Sequence, residues 1–491
     1  MQLRRLILPF ALALICAGAS AQTRDFKMGK WTEIQNAILK ELSRSYVDEL
    51  PIDRMERAAI DAMLSNLDPY TVYIPAEEGE DLQMLIAKTY GGVGAIIYKP
   101  EKDGNVIINE PYEGSPAALA GLRCGDEVLE IDGKSVVGLD TKECSDRMKG
   151  QPDTKLTLKV KKVYTGEIKT LTIRRRQIHL PDIAYCGMIG DGVGYICQTG
   201  FSEGVADSVR AGVKRLKEEG MKKLVLDLRG NGGGLMSEAV DIVSMFVPKG
   251  SLVVSQKGNE NTGSEEVFSQ KEPVDLKLPI IVLVDGGSAS ASEIVSGALQ
   301  DLDRATIMGK RTYGKGLVQN IRPLPYGGKL KVTVAKYYTP SGRCVQAIDY
   351  SKRDENGSVS YIPDSLTHEF KTAGGRIVKD GGGITPDVEI PIKKYSDVTY
   401  DLVVKGLVEQ YTLKYVREHE TIPAVEDFHF TDIEDFKAFV KDKVTGEVVP
   451  EEIIPFIEEE IVIRYYYQTA GMKIRLRYDT QLETALESPL I

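Results

Sequence analysis

Apolar positions recur along this chain with two different periods, and the changes of period divide it into blocks. Within 29–47, Ile34, Ile38, Leu42 and Tyr46 share one helical face, and within 54–67 Met55, Ala58, Ala59, Ala62, Met63 and Leu67 repeat the pattern. A small helical module is predicted, ending at Asp68-Pro69-Tyr70-Thr71. From about residue 82 the apolar runs shorten to strand length: Ala95-Ile96-Ile97-Tyr98, Val106-Ile107-Ile108, 156–160 and 168–173. Ser115-Pro116 opens a short helix between them, 125–133 is a strand and turn, and 177–182 is predicted as a linker.

Beyond the linker the pattern becomes strand, glycine loop, helix, the α/β crossover arrangement. It is carried by strands at 194–196 and 223–228, helices at 205–216 and 235–246, and Gly230 to Gly234 between. Five consecutive apolar residues at 280–284 then predict a buried strand. Asp285-Gly286-Gly287 breaks it, and 293–299 has helical spacing. Short strands are predicted at 305–308, 318–324 and 329–338, and surface loops over 349–375. Past residue 394, helical spacing at 402–415 and 453–467 predicts a charged and aromatic helical region with no chemistry of its own, suited to a cap or a homo-oligomer contact.

Candidate chemistry gathers at one handover. Ser288, Ser290 and Ser292 lie where the 280–284 strand gives way to a helix N-terminus. There the first backbone N–H groups lack intrahelical partners and the dipole favours negative charge, so donors for an oxyanion stand beside a hydroxyl. Lys315 sits between Gly314 and Gly316 and is a possible base. A lysine activates a serine only as the neutral amine, which burial or a nearby cation favours. Gln319 is placed to hold that amine without adding negative charge. A phosphate-binding loop at 309–315 fails, because Gly316 stands where Ser or Thr should hold magnesium and a strand follows instead of a helix. No S-x-x-K occurs. The four histidines, His179, His368, His419 and His429, form no H-E-x-x-H, so neither metal nor cofactor is expected. Spacing alone leaves a serine–histidine pair open.

Ser288-Ala289-Ser290-Ala291-Ser292-Glu293-Ile294, Thr312-Tyr313-Gly314-Lys315-Gly316 and Gln319 together resemble the carboxy-terminal processing (tail-specific) peptidases. These are serine proteases with a Ser–Lys dyad on a crotonase/Clp-protease-like core. The family spacing of 25 residues between nucleophile and lysine selects Ser290, and the resemblance implies Lys315 as base and Gln319 as its orienting group. Asp227-Leu228-Arg229 with Asn231 and Gly233-Gly234 resembles the family's oxyanion loop, which implies an N–H of Gly232 or Gly233 with that of Ala291. Leu67-Asp68-Pro69-Tyr70 and 381–388 match further family signatures. Tyr90-Gly91-Gly92-Val93-Gly94, a strand, the Ser-Pro-Ala helix and 125–133 resemble a PDZ domain in order. That implies Gly91, Gly92, Val93 and Gly94 as the loop receiving a peptide's terminal carboxylate, with the peptide added to a sheet edge.

The expected fold class is multidomain α/β and α+β: signal peptide 1–21, helical region 22–81, PDZ domain 82–175, peptidase core 176–394 and helical region 395–491. The expected activity is a serine endopeptidase that binds protein substrates by their C-terminal tails. A non-catalytic PDZ scaffold with a degenerate core is the alternative, and the intact dyad favours the enzyme.

Composition sharpens this. Arg4 and Arg5, an apolar run over 6–17 and Ala19-Ser20-Ala21 form an export signal cleaved after Ala21, with a run shorter than the roughly 20 residues that span a membrane. No later stretch is long and apolar enough to cross one, so an exported, periplasmic protein is expected. A hydrophobic fraction of 42% supports real cores, and a net charge of −10 argues against a nucleic-acid partner. Cys16 falls in the signal, and the other five cysteines are an odd set that leaves one without an intramolecular partner. If Asp191-Gly192 closes a two-residue hairpin, Cys186 faces Cys197, either as a bridge or as two buried thiols.

Overall fold

The structure, a computed structural model, describes residues 23–79, 84, 87–99, 104–354 and 357–488. The export signal at 1–21 and the domain edge at 82 lie outside these residues. The chain divides into two units, 1–69 and 70–491. In the first, helices Arg24–Ser45 and Ile52–Leu64 realise the two periodic stretches, and the earlier start at Arg24 follows from Thr23, whose hydroxyl accepts the Phe26 N–H as an N-cap. Arg24–Ser45 buries no residue and leaves Phe26, Met28, Trp31 and Ile38 exposed.

The second unit is built on a six-stranded sheet ordered Ile183–Gly190, Val193–Gln198, Lys223–Asp227, Ile280–Val284, Thr306–Gly309, Val388–Glu389. The first pair is antiparallel and every later pair is parallel. Both faces are covered, which is why the middle strands are apolar throughout instead of alternating. Leu224, Leu226, Ile280, Val282 and Val284 face helices Val205–Glu218, Met236–Val243 and Ala291–Asp301. Their neighbours Val225, Ile281 and Leu283 face the other way, with Tyr195 and Met308, onto Met472, Leu482 and Ala485. Residues 472–486, from the region past 394, are thus a layer of the core.

A second sheet joins Val72–Ile74, Lys329–Tyr338, Leu252–Gly258 and Ser264–Phe268, with Leu317–Pro323 paired to Lys329–Tyr338. The stretch 349–375, expected as loops, contributes strands to two hairpins, Ile348–Arg353 with Val359–Tyr361 and Glu369–Lys371 with Ile377–Lys379.

The PDZ region folds as the sheet Ala95–Tyr98, Ile107–Pro111, Glu127–Ile131, Lys155–Lys161, Ile168–Arg174 around its own core of Val106, Ile108, Val128, Leu156 and Leu158. The linker expected at 177–182 is partly a strand: Arg176–His179 pairs antiparallel with Thr89–Gly92, burying Ile178. Entry and exit of the domain are so bound together, and a Lys88–Asp182 ion pair adds to the tie.

The helical region has a core of its own, including Leu402, Tyr411, Phe436 and Ile457. The stretch 402–415, read as one helix, falls into two helices, Asp397–Val404 and Leu407–Glu418, because Gly406 turns left-handed (φ 65) between them. The long helix Pro450–Arg477 breaks at Tyr467 (φ 68, ψ 178). Just past the break, Gln468 Nε2 donates to Glu110 Oε2 of the PDZ region at 2.6 Å.

The hairpin at Asp191-Gly192 forms, with Gly190 opposite Val193, yet a bulge between Met188 and Gly190 shifts the register, so that Cys186 faces Ile196 and Tyr185 faces Cys197. A slip of one residue sends side chains to opposite faces. Cys186 packs with the Val205–Glu218 side and Cys197 with the Met472 side, and all five described cysteines are free thiols. Among the described residues no helix is long and apolar enough to cross a membrane.

Candidate active site

Ligand sites in open α/β sheets lie beyond the carboxyl ends of the strands. The loops that follow Lys223–Asp227, Ile280–Val284 and Thr306–Gly309 meet at that edge. Ser290 closes the second loop as N-cap of Ala291–Asp301, with φ 58 and ψ −112. A non-glycine residue held in such a region costs on the order of 1–3 kcal/mol, so its surroundings must over-determine it. They do. Its N–H donates to Glu293 Oε2 at 2.8 Å, and its carbonyl accepts the buried Tyr337 hydroxyl at 3.2 Å. Gly233 (φ 97) presses so close that an added Cβ would lie 2.8 Å from Ser290 Cβ and 2.6 Å from Ala289 O.

Glu293 is fully buried and is the hub of the site. Besides the Ser290 N–H it accepts the Thr312 hydroxyl at 2.6 Å, the Gly314 N–H at 2.7 Å and the Lys315 N–H at 2.9 Å. One carboxylate therefore fixes the backbone of Ser290 and the loop that carries Lys315. Burial pushes its carboxyl upward, and the four donors oppose that push. Lys315 Nζ lies 4.4 Å from the centre of the Tyr70 ring, which meets Tyr350 edge-on at 6.1 Å. Burial, then the hydroxyls of Tyr313 and Tyr350, drive the Tyr70 phenol far above its ordinary value, so it stays neutral. Gln319, on Leu317–Pro323, donates from its amide to Thr333 Oγ1 at 3.2 Å.

The glycine loop is stitched to the serine loop. Ser288 Oγ donates to Leu228 O at 2.7 Å, Ser292 Oγ and the Ala289 N–H donate to Asn231 O at 2.8 and 3.0 Å, and the Gly230 N–H donates to Asp285 Oδ1 at 2.8 Å. The two flanking serines are packing and bonding residues. Gly233 gives its N–H to Asn231 Oδ1 at 2.9 Å. The N–H groups of Gly232 and Ala291 have no acceptor among the described residues.

Sequence reasoning passed over three participants. Glu293 had a visible signal, the Ser-x-x-Glu spacing of a capping box. Tyr70 stood only in the signature Leu67-Asp68-Pro69-Tyr70, with no role read from it, and Tyr337 had no signal, since it arrives from another part of the fold. Gly200-Phe201-Ser202-Glu203-Gly204 has the spacing of a hydrolase elbow between a strand and a helix. Ser202 is only 5% exposed, has no positive φ and gives its N–H to Asp182, so its role is structural.

At the PDZ region a groove of about 240 Å³ is lined by Tyr90, Val93, Ile96, Tyr112 and Met148. Ala95–Tyr98 pairs on one side only, with Ile107–Pro111, and is an edge strand. The carbonyls of Val93 and Gly94 accept from Ala117 and Tyr112 at 2.9 and 3.0 Å, while the N–H groups of both have no acceptor among the described residues. Gly91 and Gly92 lie in the strand paired with Arg176–His179.

Comparison with known proteins identifies the family. Residues 192–351 match the model of peptidase family S41, 107–162 that of the PDZ domain, and 398–446 one described as "Probable PDZ-protease, C-terminal helical domain". The carboxy-terminal processing protease CtpA of Bacillus subtilis (strain 168) is 33% identical over 402 residues, 82% of this chain and 83% of that protein. A carboxy-terminal-processing protease of Bartonella bacilliformis is 36% identical over 316 residues, covering 63% of this chain and 71% of its own. The solved photosystem II D1 C-terminal processing protease aligns with 78% of this chain and 92% of its own at 25% identity, with a TM-score of 0.40, too loose for comparison of residues. The chain belongs to the carboxy-terminal processing serine proteases of peptidase family S41, hydrolases that carry a PDZ domain.

Proposed function

We propose that this protein is an exported endopeptidase that captures substrates by their C-terminal tails and cuts them with a Ser290–Lys315 dyad. The observation that carries the reading is the shared Glu293 carboxylate, which binds the strained Ser290 backbone and the Lys315 loop at once. Lys315, as the neutral amine, takes the Ser290 Oγ proton while Oγ bonds to the substrate carbonyl carbon. The N–H groups of Gly232 and Ala291 receive the oxyanion, since that of Gly233 is engaged by Asn231. The lysine returns the proton to the leaving amine as the C–N bond breaks, and water repeats the sequence on the acyl ester. Gln319 steadies the lysine through this cycle. An aromatic face favours the ammonium over the amine, so Lys315 must leave the Tyr70 ring before it serves as base.

Tail capture rests on the open N–H groups of Val93 and Gly94, continued by Gly92 and Gly91, beside the edge strand Ala95–Tyr98. Export, with a periplasmic destination, rests on the pattern of 1–21. The test uses one unfolded protein ending in an apolar residue. Ser290→Ala is expected to abolish its cleavage while a tail peptide still binds, and Lys315→Arg to be nearly inactive because arginine stays protonated. Amidating the tail should weaken binding by about 1.5–3 kcal/mol. Cleavage by Ser290→Ala at the parent rate would remove Ser290 as nucleophile.

A further inference from the structure

The loop that holds Gly232 is anchored from outside the peptidase sheet. Arg229, at its start, donates from Nε to both oxygens of Asp227 at 3.0 Å and from Nη2 to Asp227 Oδ2 at 2.6 Å. The opposite side of the same guanidinium is taken by the helical region. Nη1 donates to Asp479 Oδ1 at 3.1 Å and to Gln481 Oε1 at 3.0 Å, and Nη2 pairs with Asp479 Oδ2. Asp479 is itself fixed, as the N-cap of Thr480–Leu486, by accepting the Leu482 N–H at 2.9 Å. Asp227 is fixed on its far side by the Tyr195 hydroxyl at 2.6 Å. All the donors of Arg229 are thereby consumed in a planar clamp between two carboxylates 252 positions apart in the chain (479 − 227).

We propose that Asp479 is a positioning residue for catalysis: through Arg229 it sets the loop 229–233 and so the place of the oxyanion donor. Arg229 N–H is already bound to Asp227 Oδ1 at 2.9 Å, so any turn of the guanidinium drags the backbone from which Gly230, Asn231 and Gly232 follow. Donors preorganised at the oxyanion act only within a few tenths of an ångström of their place. Removing the outer carboxylate leaves a largely buried cation with one of its two carboxylates and four of its six side-chain hydrogen bonds, the circumstance in which such a side chain moves. The inference rests on the oxyanion role proposed for Gly232.

Asp479→Asn separates charge from capping, because asparagine caps a helix as well as aspartate does. With the unfolded tail-bearing substrate, the Asn variant is expected to lose tenfold or more in kcat, with KM and tail-peptide affinity changed less than twofold. Phosphonylation of Ser290 by a fluorophosphonate, whose phosphoryl oxygen also needs the oxyanion donors, should slow in parallel. Asp479→Glu should recover part of the loss. Gln481→Ala, which removes a neutral partner of the same nitrogen, should lower kcat a few-fold and leave the unfolding midpoint in place. An unchanged kcat in Asp479→Asn overturns the inference. So does a joint fall of kcat, peptide affinity and unfolding midpoint, which marks general loss of structure. Should Asp479→Asn fail to fold, a parental kcat in Gln481→Ala overturns it. Failure of the dyad reading is separate: it shows in an active Ser290→Ala, whatever Asp479→Asn does.

Discussion

Ser290 holds a backbone angle that serine avoids, and a single buried carboxylate three residues later makes this tolerable. Glu293 is fully buried, so protein donors, four of them backbone N–H or hydroxyl groups within 2.9 Å, take the place of water around its charge. Glu293→Gln keeps the shape and replaces two acceptor oxygens by one, with an NH₂ group aimed at N–H donors. Leaving buried donors unmatched costs about 1–3 kcal/mol each, so we expect roughly 2–4 kcal/mol off the unfolding free energy in urea titrations. The rate should fall as well, by on the order of 100-fold, because a 1 Å misplacement of the reacting groups can cost about that much. A variant that is as stable and as active as the parent would mean the carboxylate organises nothing.

At the scale of elements, the end of the helical region belongs with the sheet. Met472, Leu482 and Ala485 close the face formed by Tyr195, Val225, Ile281, Leu283 and Met308. Burying a large aliphatic side chain contributes about 1.5–3 kcal/mol, so a chain stopped at residue 471 should lose on the order of 5 kcal/mol from the peptidase core. Tail-peptide binding should survive, since the PDZ region has its own core, and cleavage should vanish. Cleavage by the shortened chain would show that the layer is dispensable. The elements built from local pattern were legible in the sequence: the Ile280–Val284 strand, the serine run and the glycine loops each carry their signal within a dozen residues. What depended on a distant partner was not. Arg176–His179 reads as a linker until Thr89–Gly92 is placed beside it, and the Met188 bulge leaves no mark on the apolar pattern. Asp479 is one more acidic residue in a charged region until Arg229 reaches it, 250 positions away.

Across the whole molecule, several aspartates are tied to cations that join its parts: the buried Asp182 to Lys88, the half-buried Asp479 to Arg229 and the more open Asp303 to Arg376. Burial is the largest influence and would raise each carboxyl, but the cation beside it and the hydrogen bonds it accepts together hold it below its ordinary value. A folded-state value below the unfolded one contributes stability that is fully present above the unfolded value, about 3.9, and is lost as pH falls through the folded value. Thermal unfolding midpoints should therefore be level from about pH 7 to 5 and drop steeply below about pH 4. A decline that begins near pH 6.5 would instead assign the pH response to histidines. Residues 472–486 are made later than every strand they cover, and the PDZ region is made earlier than all of them. Until that last layer docks, Ile281, Leu283 and Met308 face water and Arg229 has only one of its two carboxylates. A chain emerging N-terminus first thus completes its grip on a tail before it completes the means to cut one, and each newborn molecule passes through a stage of holding without harming.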